Sequence, residues 1–227
     1  EGGDVVHLPV GGEQGARVPG LPKVVDPVMV ATSGARLLAP DAVAALCARL
    51  LPLAALITPN LPETEVLLGR PLAGGVAAAA AAARALRDRF GCAVLVKGGH
   101  DADARARDVL CDGAGCVVLE TPAVAGPLST HGTGCSLSAA IAAALACGCA
   151  LREAVARGKA YVYEAIRCGV RVGARATVLG TPSRIPVEAV RVRPLEADAA
   201  FDTENQTEAL AEPLQAPGVR VQDARVQ

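Results

Sequence analysis

Residues 74–99 read "GGVAAAAAAARALRDRFGCAVLVKGG", and the change of period inside this stretch decides the fold. Its first part, "GGVAAAAAAARALRDRFG", has strong helix formers throughout, which predicts a helix. Gly91 supplies a left-handed stop, and "CAVLVKGG" then reads as an apolar strand. A helix that hands the chain straight to a strand is half of a β-α-β unit.

The same rhythm extends to both sides. Upstream, "KVVDPVM" at 23–29 is a short β-branched run, Pro40 to Leu51 has helical spacing, and "AALIT" at 54–58 is a second apolar run. Downstream, "RDVLCDGAGCVVLE" reads as two strands around a turn from Asp112 to Gly115, hence a hairpin. Two helices follow, from about Gly134 to Ala146 and from Leu151 to Cys168. The expected fold class is α/β, a mainly parallel sheet covered by helices. Residues 1–22, rich in glycine and proline, read as a linker or a truncated edge, 23–180 as the domain, and 181–227 as a flexible tail without periodicity.

Composition narrows the function classes. Apolar residues make up 52% of 227, with two Phe, two Tyr and no Trp, so the core must be built from Ala, Val and Leu. A net charge of -1, without a basic stripe or stacking aromatics, argues against nucleic acid and for a small-molecule partner. The eight cysteines form no CxxC pair, so neither a zinc site nor a disulfide framework is expected. They read as reduced thiols of an intracellular protein, with Cys92, Cys111, Cys116, Cys147, Cys149 and Cys168 as packing residues. The longest apolar run, Leu137 to Leu151, is broken by Ser138 and Gly148 and falls short of the ~20 residues a bilayer needs, which predicts a soluble protein and no membrane partner.

In open parallel sheets ligands bind beyond the carboxyl ends of the strands. All three expected parallel strands end in chemistry there: Asp26, then "TPNLPETE" from Thr58, then "KGGH" from Lys97. Two acids, an amide and a lysine at one edge suit a magnesium-bound polyphosphate. Plainer roles exist for each: Asp-Pro starts turns, Asn60 and Glu63 have the spacing of a capping box, and Lys97, His100 and His131 suit exposed positions. The stretch 129–148, "STHGTGCSLSAAIAAALACG", brings Gly132, Thr133 and Gly134 to a helix mouth and Cys135 into its first turn. Such a turn presents backbone N–H groups to an anion, and a helix N-terminus favours the thiolate form of a cysteine. The alternative is a simple cap made by Thr133 or Ser136.

Four of these stretches occur together in one known family. "VVDPVMVATSGARLL", "LITPNLPETEVLLG", "VLVKGGH" and "THGTGCSLSAAIAAALACG" stand in the order and spacing that resemble the hydroxymethylpyrimidine and phosphomethylpyrimidine kinases of thiamine biosynthesis, within the ribokinase-like superfamily. The resemblance covers roughly residues 23–168 and implies part of a three-layer α/β/α fold with ATP and Mg²⁺ as cofactors. It implies that Gly132, Thr133, Gly134 and Cys135 form the anion hole for the transferring phosphoryl group. Cys135, where ribokinase-like sugar kinases carry an aspartate, would be the base that takes the substrate hydroxyl proton. It further implies that Asp26 and Glu63, supported by Asn60, organise Mg²⁺ and the ATP phosphates, and that Lys97 neutralises the triphosphate. The implied enzyme phosphorylates hydroxymethylpyrimidine and then its monophosphate.

The chain also departs from that pattern. Residues 1–22 do not resemble the glycine-rich segment that shapes the pyrimidine pocket, so the chain is expected to be N-terminally incomplete. Ser129 stands where asparagine is expected, and "VGARATVLGTPSRIPVEAV" replaces a GxGP-type stretch. Competing readings are a non-catalytic nucleotide-binding remnant, a pyridoxal kinase-like activity, and, weakest, a hydrolase using Cys135 with His131. The expected location is cytoplasmic, or plastid if a transit segment precedes the chain, and a homodimer is the assembly to test.

Overall fold

The computed structural model describes residues 21–30, 35–100, 105–124, 132–172 and 176–195. In chain order the elements are β1 (Val24–Val25), α1 (Pro40–Ala45), β2 (Leu56–Ile57), α2 (Leu61–Leu68), α3 (Val76–Phe90), β3 (Ala93–His100), β4 (Arg105–Asp112) and β5 (Gly115–Pro122). There follow α4 (Thr133–Ala146), α5 (Leu151–Arg167), β6 (Val170–Val172), β7 (Ala176–Val178) and β8 (Arg191–Leu195).

Local chemistry accounts for most boundaries. The alanine run forms α3, and Gly91 ends it at φ 69° with its N–H on the Arg87 carbonyl. The helix that starts at Pro40 continues past α1 as a wider turn over Leu46–Leu50 and a tighter one over Leu51–Leu53. Pro52, which has no N–H to donate, lies in that last turn. Asn60 and Glu63 close a reciprocal capping box that starts α2, with proline in the first turn, and Gly69 ends it at φ 69°. The capping box, offered by the spacing of Asn60 and Glu63 as the plainer role, is present and starts the helix.

A six-stranded sheet has the order β1-β2-β3-β4-β5-β8. The β1, β2 and β3 strands are parallel, and from β3 onward every pairing is antiparallel. Alternation along the central strands fills a core on each face. Ile57, Val94, Val96, Val109 and Cys111 pack with Leu67, Ala83 and Leu86 on the α2–α3 side. Leu56, Leu95, Leu110, Val117 and Leu119 pack with Leu137, Ile141, Ala154 and Val155 on the α4–α5 side. Helices therefore cover both faces, the layering expected of the fold class. Gly158 lets α5 approach α4 closely, because a Cβ there would stand 2.6 Å from Ile141 Cγ1.

Three expectations need correction. Cys147 and Cys168, expected as packing residues, are exposed at the ends of α4 and α5. The tail expected from residue 181 is ordered as far as Leu195: Arg191–Leu195 pairs antiparallel with β5 and extends the sheet, where Glu120 holds Arg193. Residues 196–227 lie outside the described residues. Cys111 and Cys116, expected as reduced packing thiols, face each other in the hairpin register and are joined as a disulfide. The hairpin places them opposite at hairpin distance, with Cα atoms 4.1 Å apart, which spacing alone did not reveal. A second, two-stranded sheet of β6 and β7 also went unforeseen. Among the described residues no helix is long and apolar enough to cross a membrane.

Candidate active site

The carboxyl ends of β1, β2 and β3 converge on one edge, and the chain places a different functional group at each. Asp26 follows β1 directly and Lys97 lies near the end of β3, 71 positions later. Lys97 Nζ donates to Asp26 Oδ1 at 2.7 Å, and the two side chains are only 15% and 13% exposed. Between them, the chain leaving β2 bonds to β3: Lys97 N donates to the Pro59 carbonyl at 2.8 Å, and Asn60 bridges to Lys97 in parallel fashion.

Glu63 takes a different place. It is 2% exposed, and its carboxylate accepts from the backbone N–H of Asn60 at 2.8 Å through Oε2 and of Met29 at 3.0 Å through Oε1. Asn60 Oδ1 in turn accepts from Glu63 N at 2.8 Å, and Asn60 Nδ2 donates to the Val30 carbonyl at 3.2 Å. The capping box of α2 thus also clamps the turn that follows Asp26. That turn needs holding, because Val28 adopts φ 48°, a conformation a β-branched residue rarely takes.

The glycine loop arrives at the same edge. Gly132 begins α4 at φ 84°, and its carbonyl accepts from Ser136 N at 2.9 Å. A Cβ on Gly134 would stand 3.2 Å from Lys97 Nζ and 3.6 Å from Asp26 Oδ2, so the first turn of α4 lies against the ion pair and only a residue without a side chain leaves them room. The residue at the N-cap of α4, Gly132, has no side chain with which to cap the helix. Cys135 is exposed in this first turn, whereas burial pushes the thiol of Cys92 up to about 11 and raises that of Cys47. Next to Cys135, Ser136 opens a groove of about 520 Å³ along Ala140 and Ala143 of α4, walled by Arg157 and Tyr161 of α5 and by Ile185.

Of the expected site residues, Asp26, Lys97 and Gly134 come into direct proximity, Gly132, Thr133 and Cys135 share the helix mouth, and Asn60 and Glu63 support the edge from α2. His131 lies outside the described residues, as does the Ser129 position. Sequence reading missed Thr58 and Ser138, both buried, whose hydroxyls meet at 2.9 Å. Ser138 donates to the Gly134 carbonyl at 3.1 Å, so the bond from Thr58 ties the end of β2 to the glycine turn. The available signal was a serine four residues after Gly134 in an otherwise apolar helix, a position from which a hydroxyl reaches back to the carbonyl of the preceding turn.

Residues 13–179 match the family model described as phosphomethylpyrimidine kinase. The chain belongs to that family. It is 53% identical over 152 residues to a hydroxymethylpyrimidine/phosphomethylpyrimidine kinase of Rhizobium meliloti, a match covering 66% of this chain and 56% of the relative. It is 46% identical over 151 residues to the thiamine biosynthesis bifunctional protein ThiED of Geobacter sulfurreducens, covering 66% of this chain and 30% of that one. Among solved structures, the pyridoxal kinase from Staphylococcus aureus in complex with AMP-PCP superposes with a TM-score of 0.67 at 33% identity, over 76% of this chain and 63% of that one. A phosphomethylpyrimidine kinase from Clostridium difficile superposes with a TM-score of 0.52 at 38% identity, over 63% and 56%. The chain spans about half the length of the curated single-function kinases it matches.

Proposed function

We propose that this chain carries the phosphoryl-transfer part of an ATP-dependent kinase that phosphorylates hydroxymethylpyrimidine and then its monophosphate. The observation that supports this most is the meeting of Gly134, Lys97 and Asp26 where three strand ends face a helix N-terminus. Developing negative charge on a phosphoryl group is stabilised by such fixed donors and cations. In this reading the N–H groups of the turn from Gly132 through Cys135 hold the transferring phosphoryl oxygens, and Lys97 faces the triphosphate. Cys135, exposed beside them, takes the proton of the pyrimidine hydroxymethyl group in the first step. The second step has a phosphate acceptor with no hydroxyl proton to remove, so positioning and charge neutralisation carry it.

Among the described residues no three His, Cys, Asp or Glu side chains gather as a metal cage. Mg²⁺ is commonly held by one or two carboxylates together with substrate phosphates and water. Asp26 is the residue that would face the ion. Glu63, with both oxygens on backbone N–H groups, would act on it indirectly by holding the Asp26 turn. When bound, the ion would neutralise phosphate charge.

Pyridoxal phosphorylation is the second reading, favoured by the superposition on the Staphylococcus aureus pyridoxal kinase. The test is ADP release by the purified chain with MgATP and hydroxymethylpyrimidine, its monophosphate or pyridoxal in turn. Cys135→Ala is expected to lower the first phosphorylation by about 10²–10⁴-fold and to leave the second within a few-fold. Equal losses in both steps would remove Cys135 as the base, and faster turnover of pyridoxal than of the pyrimidine would replace the proposed substrate.

A further inference from the structure

One buried ion pair lies outside the groups assigned so far, on the far side of β3 from Asp26. Lys159 of α5 is 7% exposed, among buried alanines and Val155, and its Nζ donates to Asp108 Oδ2 of β4 at 2.7 Å. A charge so deeply placed in an apolar helix face is costly unless it is paired and hydrogen-bonded, and such a pair can serve the fold or the site. The other oxygen of Asp108 shows which: Oδ1 accepts from the backbone N–H of Gly98 at 3.0 Å.

Gly98 is the irregular residue of β3. The register runs Lys97 to Asp108 and then Gly99 to Arg107, so Gly98 is bulged out of the ladder immediately after Lys97. A Cβ at Gly98 would overlap the Arg107 carbonyl, so the bulge brings the two backbones closer than any other residue permits. Bulges re-aim the side chains beside them. Here the re-aimed side chain is Lys97, whose ammonium reaches Asp26 and the Gly134 turn.

We propose that Asp108 and Lys159 are positioning residues for Lys97: Lys159 orients the Asp108 carboxylate, Asp108 holds the Gly98 bulge, and the bulge directs Lys97 toward the phosphoryl site. The catalytic part of this inference rests on the kinase reading given above; the geometric part does not. Asp108 offers the bulge a carboxylate oxygen, a stronger partner than a neutral carbonyl, and Lys159 on the other oxygen fixes how that carboxylate is turned.

The test combines a spectroscopic and a kinetic readout on the whole chain. The Gly98 amide proton and the Lys97 side-chain ¹⁵N resonance are compared in wild type, Lys159→Met, Asp108→Ala and the charge exchange Asp108→Lys with Lys159→Asp. Both resonances are expected to move in all three variants. In the pyrimidine assay kcat should fall about tenfold while KM for the pyrimidine changes less than about twofold. The exchange variant restores an ion pair but cannot accept from Gly98 N–H, so it should regain melting temperature lost in the single variants without regaining kcat. Unchanged resonances in folded variants would overturn the proposal, and so would kcat recovering together with stability in the exchange variant. A wild-type chain without turnover would count against the kinase reading, and the resonances alone would then decide whether the pair places Lys97.

Discussion

Asp26 and Glu120 are both carboxylates held by cations on the same sheet, and they are built to opposite ends. Glu120 of β5 is 3% exposed, with Arg193 Nη2 at 2.6 Å and Arg107 Nε at 2.8 Å on one oxygen. Those two guanidiniums, Arg193 first, lower its pKa from the ordinary 4.5 to about 2. Asp26 has one ammonium on Oδ1, while Oδ2 faces Gly134 across a gap that a single methyl group would nearly fill. The first arrangement saturates a charge and ties β8 to the sheet. The second keeps a cation and an anion at a strand edge directly against a helix mouth, where, on the function proposed above, a phosphate would compete for the lysine. Parallel strands make this difference, because their carboxyl ends gather on one side, whereas the antiparallel half offers no such shared edge.

Substitutions can separate the two kinds of site. The largest effect is expected from Lys97→Met: turnover in the pyrimidine assay should fall by about 10²–10³-fold, on the scale of a lost transition-state donor. Stability should fall by only about 1–2 kcal/mol for an acid left partly buried without its partner. Loss of the fold in thermal denaturation would instead make the pair structural, like that of Glu120. Glu120→Gln should do the reverse, lowering unfolding free energy by about 2 kcal/mol in denaturant titration and leaving turnover within a few-fold. Its pH dependence has a definite sign. Because the folded pKa lies below the unfolded one, the carboxylate's contribution is complete above about pH 4.5 and is lost as pH falls toward about 2. Wild type should therefore lose stability through that acid window more steeply than Glu120→Gln, and parallel curves would show that the two arginines do not stabilise the charge. The smallest effect belongs to the tie between the halves of the site: Ser138→Ala removes the partner of buried Thr58 and should cost about 1 kcal/mol. A Tm unchanged by Ser138→Ala would mean that the helix mouth is held by packing alone.

Legibility in the sequence followed the range of the interaction. The α3 helix and its stop, the hairpin and the α4 and α5 helices were readable because alanine runs, Gly91 and the Asp112–Gly115 turn act within a few residues of themselves. The capping box was legible as an alternative, since Asn60 and Glu63 are three residues apart. The second bond of Glu63, to Met29 N across 34 positions, was not. The same holds for β8, whose five residues carry Pro194 and two arginines and look like a tail until β5 supplies the ladder and Glu120 the counter-charge.

By itself, then, the sequence determined the strands and helices from β1 to α5 apart from α2, and the motifs that mark the family, all of them written in neighbouring residues. Tertiary structure alone decided that Lys97 reaches Asp26, that Gly134 leaves them room, that Thr58 meets Ser138 and that Lys159 stands behind the bulge. Each of those contacts joins residues far apart in the chain, and no local propensity encodes which distant partner a strand end will meet once the sheet has assembled.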